Sequence, residues 1–191
     1  PQITFGVRGS GSLEVTVYGA TRNLHSGHYG NWAPDTGNVL AHLLASMKDQ
    51  SGNVLVDGWY DTVDPVGEEE MAALAAMPNW DGELKRELGL VVTEGAPESL
   101  PERLMVPALN VRGITSGNTG RLARNVIPNT AVASLGVRLV KGNDPAHLSQ
   151  LIRDHIERQG FHIVSEDPDM ETRLRYPRIA KVTGGGGSLA A

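Results

Sequence analysis

Residues 130–140 alternate between apolar and other side chains, and this alternation limits the fold more than any other feature of the sequence. One set of positions is uniformly apolar: Ala131, Ala133, Leu135, Val137 and Leu139. Side chains on a strand point to opposite faces in turn, so these five lie on one face. A strand with one apolar and one polar face is typical of an antiparallel sheet that helices cover on one side only.

Two helical patterns supply the covering layer. The first follows Asp35, a good N-cap, and we expect it to end at Gly52. The second starts at Asn143-Asp144-Pro145 and ends at Gly160, with a cap and then Pro in its first turn. Each carries an apolar stripe of helical period: Val39, Leu40, Leu43, Leu44 and Met47 in the first, and Leu148, Leu151, Ile152 and Ile156 in the second.

Four further stretches read as strands: residues 3–7, 13–18, 109–114 and 161–164. Residues 53–104 are broken by Pro and Asp-Gly pairs and read as an insertion with one short helix after Glu68-Glu69-Glu70. Without the insertion the order is β-α-β-β-α-β. This predicts an α+β, two-layer sandwich of ferredoxin-like plan, with an antiparallel sheet, helices on one face and an insertion after the first helix. We expect a single domain over residues 1–183 and a flexible Gly-rich tail over 184–191.

Composition excludes several functions. The 191 residues carry a net charge of −5 without a basic face, which argues against nucleic-acid binding. No apolar run approaches the roughly 20 residues that span a bilayer. The chain has no cysteine, so thiolate metal sites, disulfides and a cysteine nucleophile are all excluded.

Four residues are candidates for chemistry. His25 and His28 lie in a Gly-containing loop and are open to three interpretations: backbone-bonded loop histidines, a metal pair lacking further ligands, or one functional His oriented by Ser26 and Gly27. Arg138 lies on the face of its strand away from the apolar residues. It is either a solvated arginine or an arginine whose guanidinium group binds a carboxylate. Asn125 is either a turn residue or a polar group offered to a substrate.

The motifs resemble the non-catalytic domain of carnosinase-type, cytosolic-nonspecific-dipeptidase-like zinc exopeptidases of the aminoacylase/carboxypeptidase superfamily, over essentially the whole chain. In chain order they are Val7-Arg8-Gly9, Leu13-Glu14-Val15, Leu24-His25-Ser26-Gly27, Asp61-Thr62-Val63, Val66-Gly67-Glu68-Glu69-Glu70, Arg124-Asn125-Val126-Ile127-Pro128, Val137-Arg138-Leu139-Val140 and Arg175-Tyr176-Pro177. The segment His28-Tyr29-Gly30-Asn31-Trp32 departs from the family, where smaller residues and a Gly-Gly pair are common.

The resemblance implies a lid and dimerisation domain that forms homodimers and packs beside its own catalytic domain, which holds two zinc ions outside this chain. It implies that His25 helps stabilise the oxyanion in the partner subunit, that Asn125 contacts the short peptide substrate across the dimer, and that Arg138 binds the C-terminal carboxylate. No metal ligand is expected in this chain, which should be inactive alone, and the implied location is cytoplasmic.

One competing hypothesis is a stand-alone ferredoxin-like interaction module whose sheet pairs edge to edge, with no catalytic role. A weaker one is a small metal-binding protein that uses His25 and His28.

Overall fold

The centre of the sheet is a long antiparallel pair, β1 (Gly9–Tyr18) and β5 (Thr130–Leu139). The computed structural model describes residues 7–191. The two strands pair over their whole length without a register shift, from Gly9 opposite Leu139 to Tyr18 opposite Thr130. The alternation predicted for residues 130–140 is confirmed, because every second residue of β5 from Ala131 to Leu139 is buried.

Three more strands complete the sheet, in the order β3-β5-β1-β7-β6. β3 (Ala108–Thr115) pairs antiparallel with β5, and β7 (Ile179–Ser188) pairs antiparallel with β1. The short strand β6 (His162–Val164) runs parallel to β7 at the edge. A separate two-stranded ribbon joins β2 (Leu24–His25) to β4 (Val126–Ile127).

Two helices cover one face of the sheet: α2 (Thr36–Met47) and α6 (Pro145–Arg158). Their buried residues join those of β1 and β5 in one hydrophobic cluster. Asp35 caps α2 by accepting from the backbone N–H groups of Gly37 and Asn38, and Asp144 caps α6 by accepting from that of His147. Both predicted helix starts are confirmed.

The remaining helices are short. They are α1 (Ser26–Tyr29), α3 (Glu68–Ala76), α4 (Asp81–Leu88), α5 (Leu100–Leu104) and α7 (Met170–Arg175), with a 3-10 turn at Gly120–Leu122. None of the helices within residues 7–191 combines the length and apolar character that a bilayer-spanning helix requires.

The α+β two-layer architecture is confirmed, but its details differ from the ferredoxin-like expectation. The strand expected at residues 161–164 does not pair with β1; it forms β6 at the edge, and β7 takes the place beside β1. Four of the five residues of the strand expected at 3–7 lie outside the described residues. α2 ends at Met47, before the predicted Gly52, which sits in a turn with φ of 88°.

The first residues of the expected insertion belong to the core. Val54, Val56 and Trp59 are buried in the main cluster, and the Trp59 indole N–H donates to the Pro107 carbonyl oxygen at 3.3 Å. Beyond them the insertion is mostly exposed. It contains α4, which sequence reasoning missed because it took Asp81-Gly82 for a break, whereas these residues form the first turn of the helix.

The glycines of β7 pack against the backbone of β1. Residues 184–188, expected to lie in a flexible tail, form the second half of β7 instead. A Cβ at Gly187 would overlap the Ser10 carbonyl oxygen, whereas a Cβ at Gly186 would meet no atom within 4 Å. The close approach of the β1 backbone therefore requires glycine at some positions of β7, such as 187, but not at 186.

One buried histidine joins the two main helices. His155 of α6 is 5% exposed, and its Nε2 lies 2.9 Å from the Ser46 hydroxyl of α2. That hydroxyl donates its single hydrogen to the Leu43 carbonyl oxygen, so Nε2 must carry a proton and donate to Ser46. Burial lowers the pKa of His155, as does nearby Arg158, while Asp57 opposes them.

Gly187→Ala should lower the free energy of unfolding by about 1–3 kcal/mol, because the new methyl group forces β7 away from β1. The control Gly186→Ala should change it by about 0.5 kcal/mol or less, since that position is open. Both substitutions restrict the unfolded chain alike, so their difference reports the native contact. Urea denaturation measures both; equal effects would contradict the close packing.

The free energy of unfolding should fall as the pH drops from about 7.5 towards 5, partly through His155. The folded chain favours neutral His155, so the unfolded chain binds more protons once the pH falls below the ordinary pKa of 6.5. His155→Gln should flatten this decline, whereas His147→Gln, at an exposed position of the same helix, should not. Denaturant titrations at several pH values test this; parallel profiles for wild type and His155→Gln would refute it.

Candidate functional site

The ribbon of β2 and β4 places His25 beside the segment that carries Asn125. His25 pairs with Val126 in the ribbon, and the Ser26 N–H donates to the Asn125 carbonyl oxygen at 3.0 Å. These two candidate residues are 100 positions apart in sequence, yet they occupy neighbouring stretches of backbone. We call this region, residues 23–32 and 124–129, the ribbon end.

The ribbon end is held to the body of the domain by backbone and side-chain hydrogen bonds. The Thr36 hydroxyl, at the start of α2, donates to the Pro128 carbonyl oxygen at 2.9 Å. The Asn129 N–H donates to the Asn23 side-chain oxygen at 2.9 Å, and the Gly19 N–H donates to the Asn129 carbonyl oxygen at 2.8 Å. The candidate side chains are exposed, but their backbone is anchored.

His25 is the N-cap of α1, and this contact orients its ring. Its Nδ1 accepts from the Gly27 N–H at 3.0 Å, so the proton of the neutral ring sits on Nε2, the outer nitrogen. A Cβ at Gly27 would lie 2.9 Å from the His25 Cε1, so the absence of a side chain there leaves room for the ring. The exposed His25 therefore presents an N–H donor.

His28 and the aromatic residues after it extend this surface. The His25 and His28 ring centroids are 4.8 Å apart, and Tyr29 lies near Trp32, which is 80% exposed. Within residues 7–191, no three His, Cys, Asp or Glu side chains are grouped so that they could hold a metal ion. The two histidines therefore lack the further protein ligands that a zinc site needs.

A polar cleft of about 620 Å³ lies next to the ribbon end. Its walls include Asn38 near the start of α2, Ser116 after β3, and Arg124. Sequence reasoning did not select these residues, although Arg124 stands next to Asn125 in the recognised motif. No local sequence pattern predicts that the loop of Ser116 packs over the first turn of α2.

Arg138 lies at the other end of the sheet. It is opposite Ser10 of β1 and Ala108 of β3, on the face away from the helices, and it is exposed. Arg138 stands eight positions after Thr130 in β5, which corresponds to about 26 Å at the usual rise of a strand. The ribbon end lies beyond the Thr130 end of β5, so one copy of the chain does not bring Arg138 together with His25 and Asn125.

A second arginine lies close to Arg138. Arg8 is half-buried, its Nη2 donates to the Val106 carbonyl oxygen at 2.7 Å, and its buried Nε finds no hydrogen-bond partner among residues 7–191. Burial lowers the pKa of Arg8, and the positive charge of Arg138 lowers it further. This end of the open face therefore concentrates positive charge.

The sequence model of the peptidase dimerisation domain matches residues 5–163. The chain belongs to this family. It is 27% identical over 158 residues to the Cys-Gly metallodipeptidase DUG1 of Candida albicans, a match covering 82% of the chain and 33% of that protein. It is 30% identical over 160 residues to the Beta-Ala-His dipeptidase of Homo sapiens, covering 82% of the chain and 31% of that protein.

Solved structures agree. Human carnosine dipeptidase 1 superposes with a TM-score of 0.80 and 25% identity, covering 100% of this chain and 38% of that one. The M20 family metallo-carboxypeptidase Sso-CP2 of Sulfolobus solfataricus superposes with a TM-score of 0.77 and 26% identity, covering 100% of this chain and 46% of that one. The resemblance seen in the sequence is confirmed, and a stand-alone module is not favoured. The chain spans about a third of the length of the curated relatives it matches.

The geometry of this dimerisation domain predicts the tautomer of His25. In long-range ¹H–¹⁵N correlation spectra, the neutral ring of His25 should show the pattern of a proton on Nε2, because Nδ1 accepts from Gly27. His147, exposed on α6, provides a comparison without this contact. A proton found on Nδ1 of His25 would contradict the capping geometry.

Proposed function

We propose that this chain is the dimerisation and active-site lid domain of a zinc-dependent dipeptidase or related exopeptidase, and that it is inactive as an isolated domain. Membership of the peptidase dimerisation domain family supports the proposal, as do the names of its relatives, which include dipeptidases. The proposal keeps the cytoplasmic location implied by the family resemblance.

His25 acts as a hydrogen-bond donor in the partner subunit's active site. Its exposed ring and outward Nε2–H suit it to a negatively charged oxygen that forms during attack on a peptide bond. Asn125, on the neighbouring stretch of the ribbon end, contacts the same substrate across the dimer. Arg138 binds the C-terminal carboxylate of the peptide through its planar fork.

The separation of these residues is the observation that carries the proposal. A dipeptide spans roughly 7 Å, whereas about 26 Å of strand separates Arg138 from the end of β5 at which His25 and Asn125 lie. One small substrate cannot touch both groups of one chain. If both act on it, they come from different subunits, which makes a homodimer part of the mechanism.

The outer edge of β3 is a suitable surface for the dimer contact. Within residues 7–191, no strand pairs with this edge, and its side chains Val111 and Ile114 are 48% and 59% exposed. An unpaired edge with exposed apolar side chains readily pairs with another strand. We place the subunit contact there.

The zinc ions belong to the catalytic domain, outside this chain. The described residues group no set of metal ligands, so no step assigned to this chain passes through a metal. The metal supplies the activated water in such enzymes. This chain contributes the orientation of the substrate and the stabilisation of developing negative charge.

In the full-length enzyme, His25→Ala should lower kcat by about 10²–10³-fold, the usual effect of removing an oxyanion donor. The matched control His28→Ala removes an exposed imidazole three residues away and should change kcat by less than about threefold. Steady-state kinetics with a dipeptide measure both effects. A loss shared equally by the two variants would contradict the specific role of His25.

Mixed dimers test whether His25 acts in the partner subunit. Co-expression of differently tagged His25→Ala and Arg138→Ala chains, followed by two-tag purification, gives dimers in which one site keeps both residues. Such dimers should recover about half of the wild-type activity. No recovery would mean that both residues serve the same subunit, or that the subunits do not share sites, and either result contradicts the proposal.

A further inference from the structure

The open face of the sheet carries a shallow depression of about 430 Å³ around Arg138. Its floor contains glycines from three strands, namely Gly11, Gly136, Gly186 and Gly187. Arg138 and Arg112 are the charged side chains that line it. The remaining lining includes the polar residues Ser10, Ser12 and Asn110.

Gly136 allows Arg112 to lie across the floor. Gly136 is opposite Asn110 of β3 and Ser12 of β1, and two residues from Arg138 on the same face of β5. A Cβ at Gly136 would lie 2.6 Å from Cδ of Arg112 and 3.1 Å from its Cγ. The aliphatic part of Arg112 thus rests on Gly136, which brings its guanidinium group into the depression with that of Arg138.

The positive charge here has no acidic partner within residues 7–191. The ion pairs among those residues involve other side chains, and neither Arg112 nor Arg138 makes a side-chain hydrogen bond within them. Arg8 adds a third guanidinium group beside Arg138, and among the described residues it donates to a carbonyl oxygen rather than to a carboxylate. Like charges held together without a counter-charge repel one another, and a bound anion removes that repulsion.

We propose that Arg112 is a second carboxylate-binding residue beside Arg138, and that the enzyme prefers peptides whose C-terminal residue is itself acidic. This rests on the proposed function, in which Arg138 binds the main-chain carboxylate. Arg112 then binds the side-chain carboxylate of the same residue, and Arg8 strengthens the positive field around both.

The spacing favours a dicarboxylate over a single anion. Positions two residues apart on one face of a strand are roughly 7 Å apart, and Gly136, on which Arg112 rests, has this relation to Arg138. Two guanidinium groups offset in this way can each bind a separate carboxylate, each through two N–H donors. A C-terminal glutamate supplies two carboxylates on one residue.

The test compares Gly-Glu with Gly-Gln, which has nearly the same shape and no side-chain charge, in the full-length zinc-loaded enzyme. Wild type should have a kcat/KM for Gly-Glu roughly tenfold or more above that for Gly-Gln, as expected for hydrogen bonds to a charged group. Arg112→Gln should bring this ratio close to 1. Arg86→Gln, at an exposed arginine on α4, should keep the wild-type ratio.

A wild-type ratio near 1, or an unchanged ratio in Arg112→Gln, would overturn the inference while leaving the proposed function intact. If the enzyme hydrolyses no dipeptide at all, the proposed function fails, and the inference about Arg112 is then tested by the binding of small carboxylic acids. In that case, NMR titrations with glutarate and butyrate should show tighter binding of glutarate, weakened at least about fivefold by Arg112→Gln. Equal affinity for the two acids would then overturn it.

Discussion

The in-register pairing of β1 with β5 is the constraint on which the rest of the structure depends. Ten consecutive pairs without a shift fix which side chains of both strands face the helices. A slip of β5 by one residue against β1 would turn Leu135 outward and Arg138 inward, at a cost of several buried apolar side chains. The same pairing therefore makes the core and keeps Arg138 on the open face.

This pairing also fixes the distance between the two ends of the sheet that carry the proposed site residues. Because β5 is paired with β1 along its whole length and with β3 over most of it, the chain cannot fold back to bring Arg138 to the ribbon end. In the proposed function, a small-molecule site is therefore complete only when other chains or domains meet this one. The proposed dimer follows from the rigidity of the central strands, and the unpaired edge of β3 gives it a surface.

The sequence predicted the elements whose signals are local. The alternation of β5 and the capped starts of α2 and α6 each depend on short-range patterns, and the structure has all three. The position of β7 could not be predicted, because its glycine run reads as a break and its strand conformation depends on pairing with β1. Likewise, His25 and Asn125 were chosen by their motifs, but their proximity depends on a ribbon formed between distant segments.

The glycine run of β7, whose strand conformation the sequence did not predict, also contributes Gly186 and Gly187 to the depression at Arg138. A strand interior containing Gly186 and Gly187 has weak strand propensity and no side chains to pack, so it costs stability. Close approach to Ser10 explains Gly187, but Gly186 faces open space, so packing within this chain does not require it. Sequences depart from local consistency mainly at functional sites. The glycine floor of the depression beneath Arg112 and Arg138 is such a departure. The absence of side chains there leaves room for a ligand to reach both guanidinium groups.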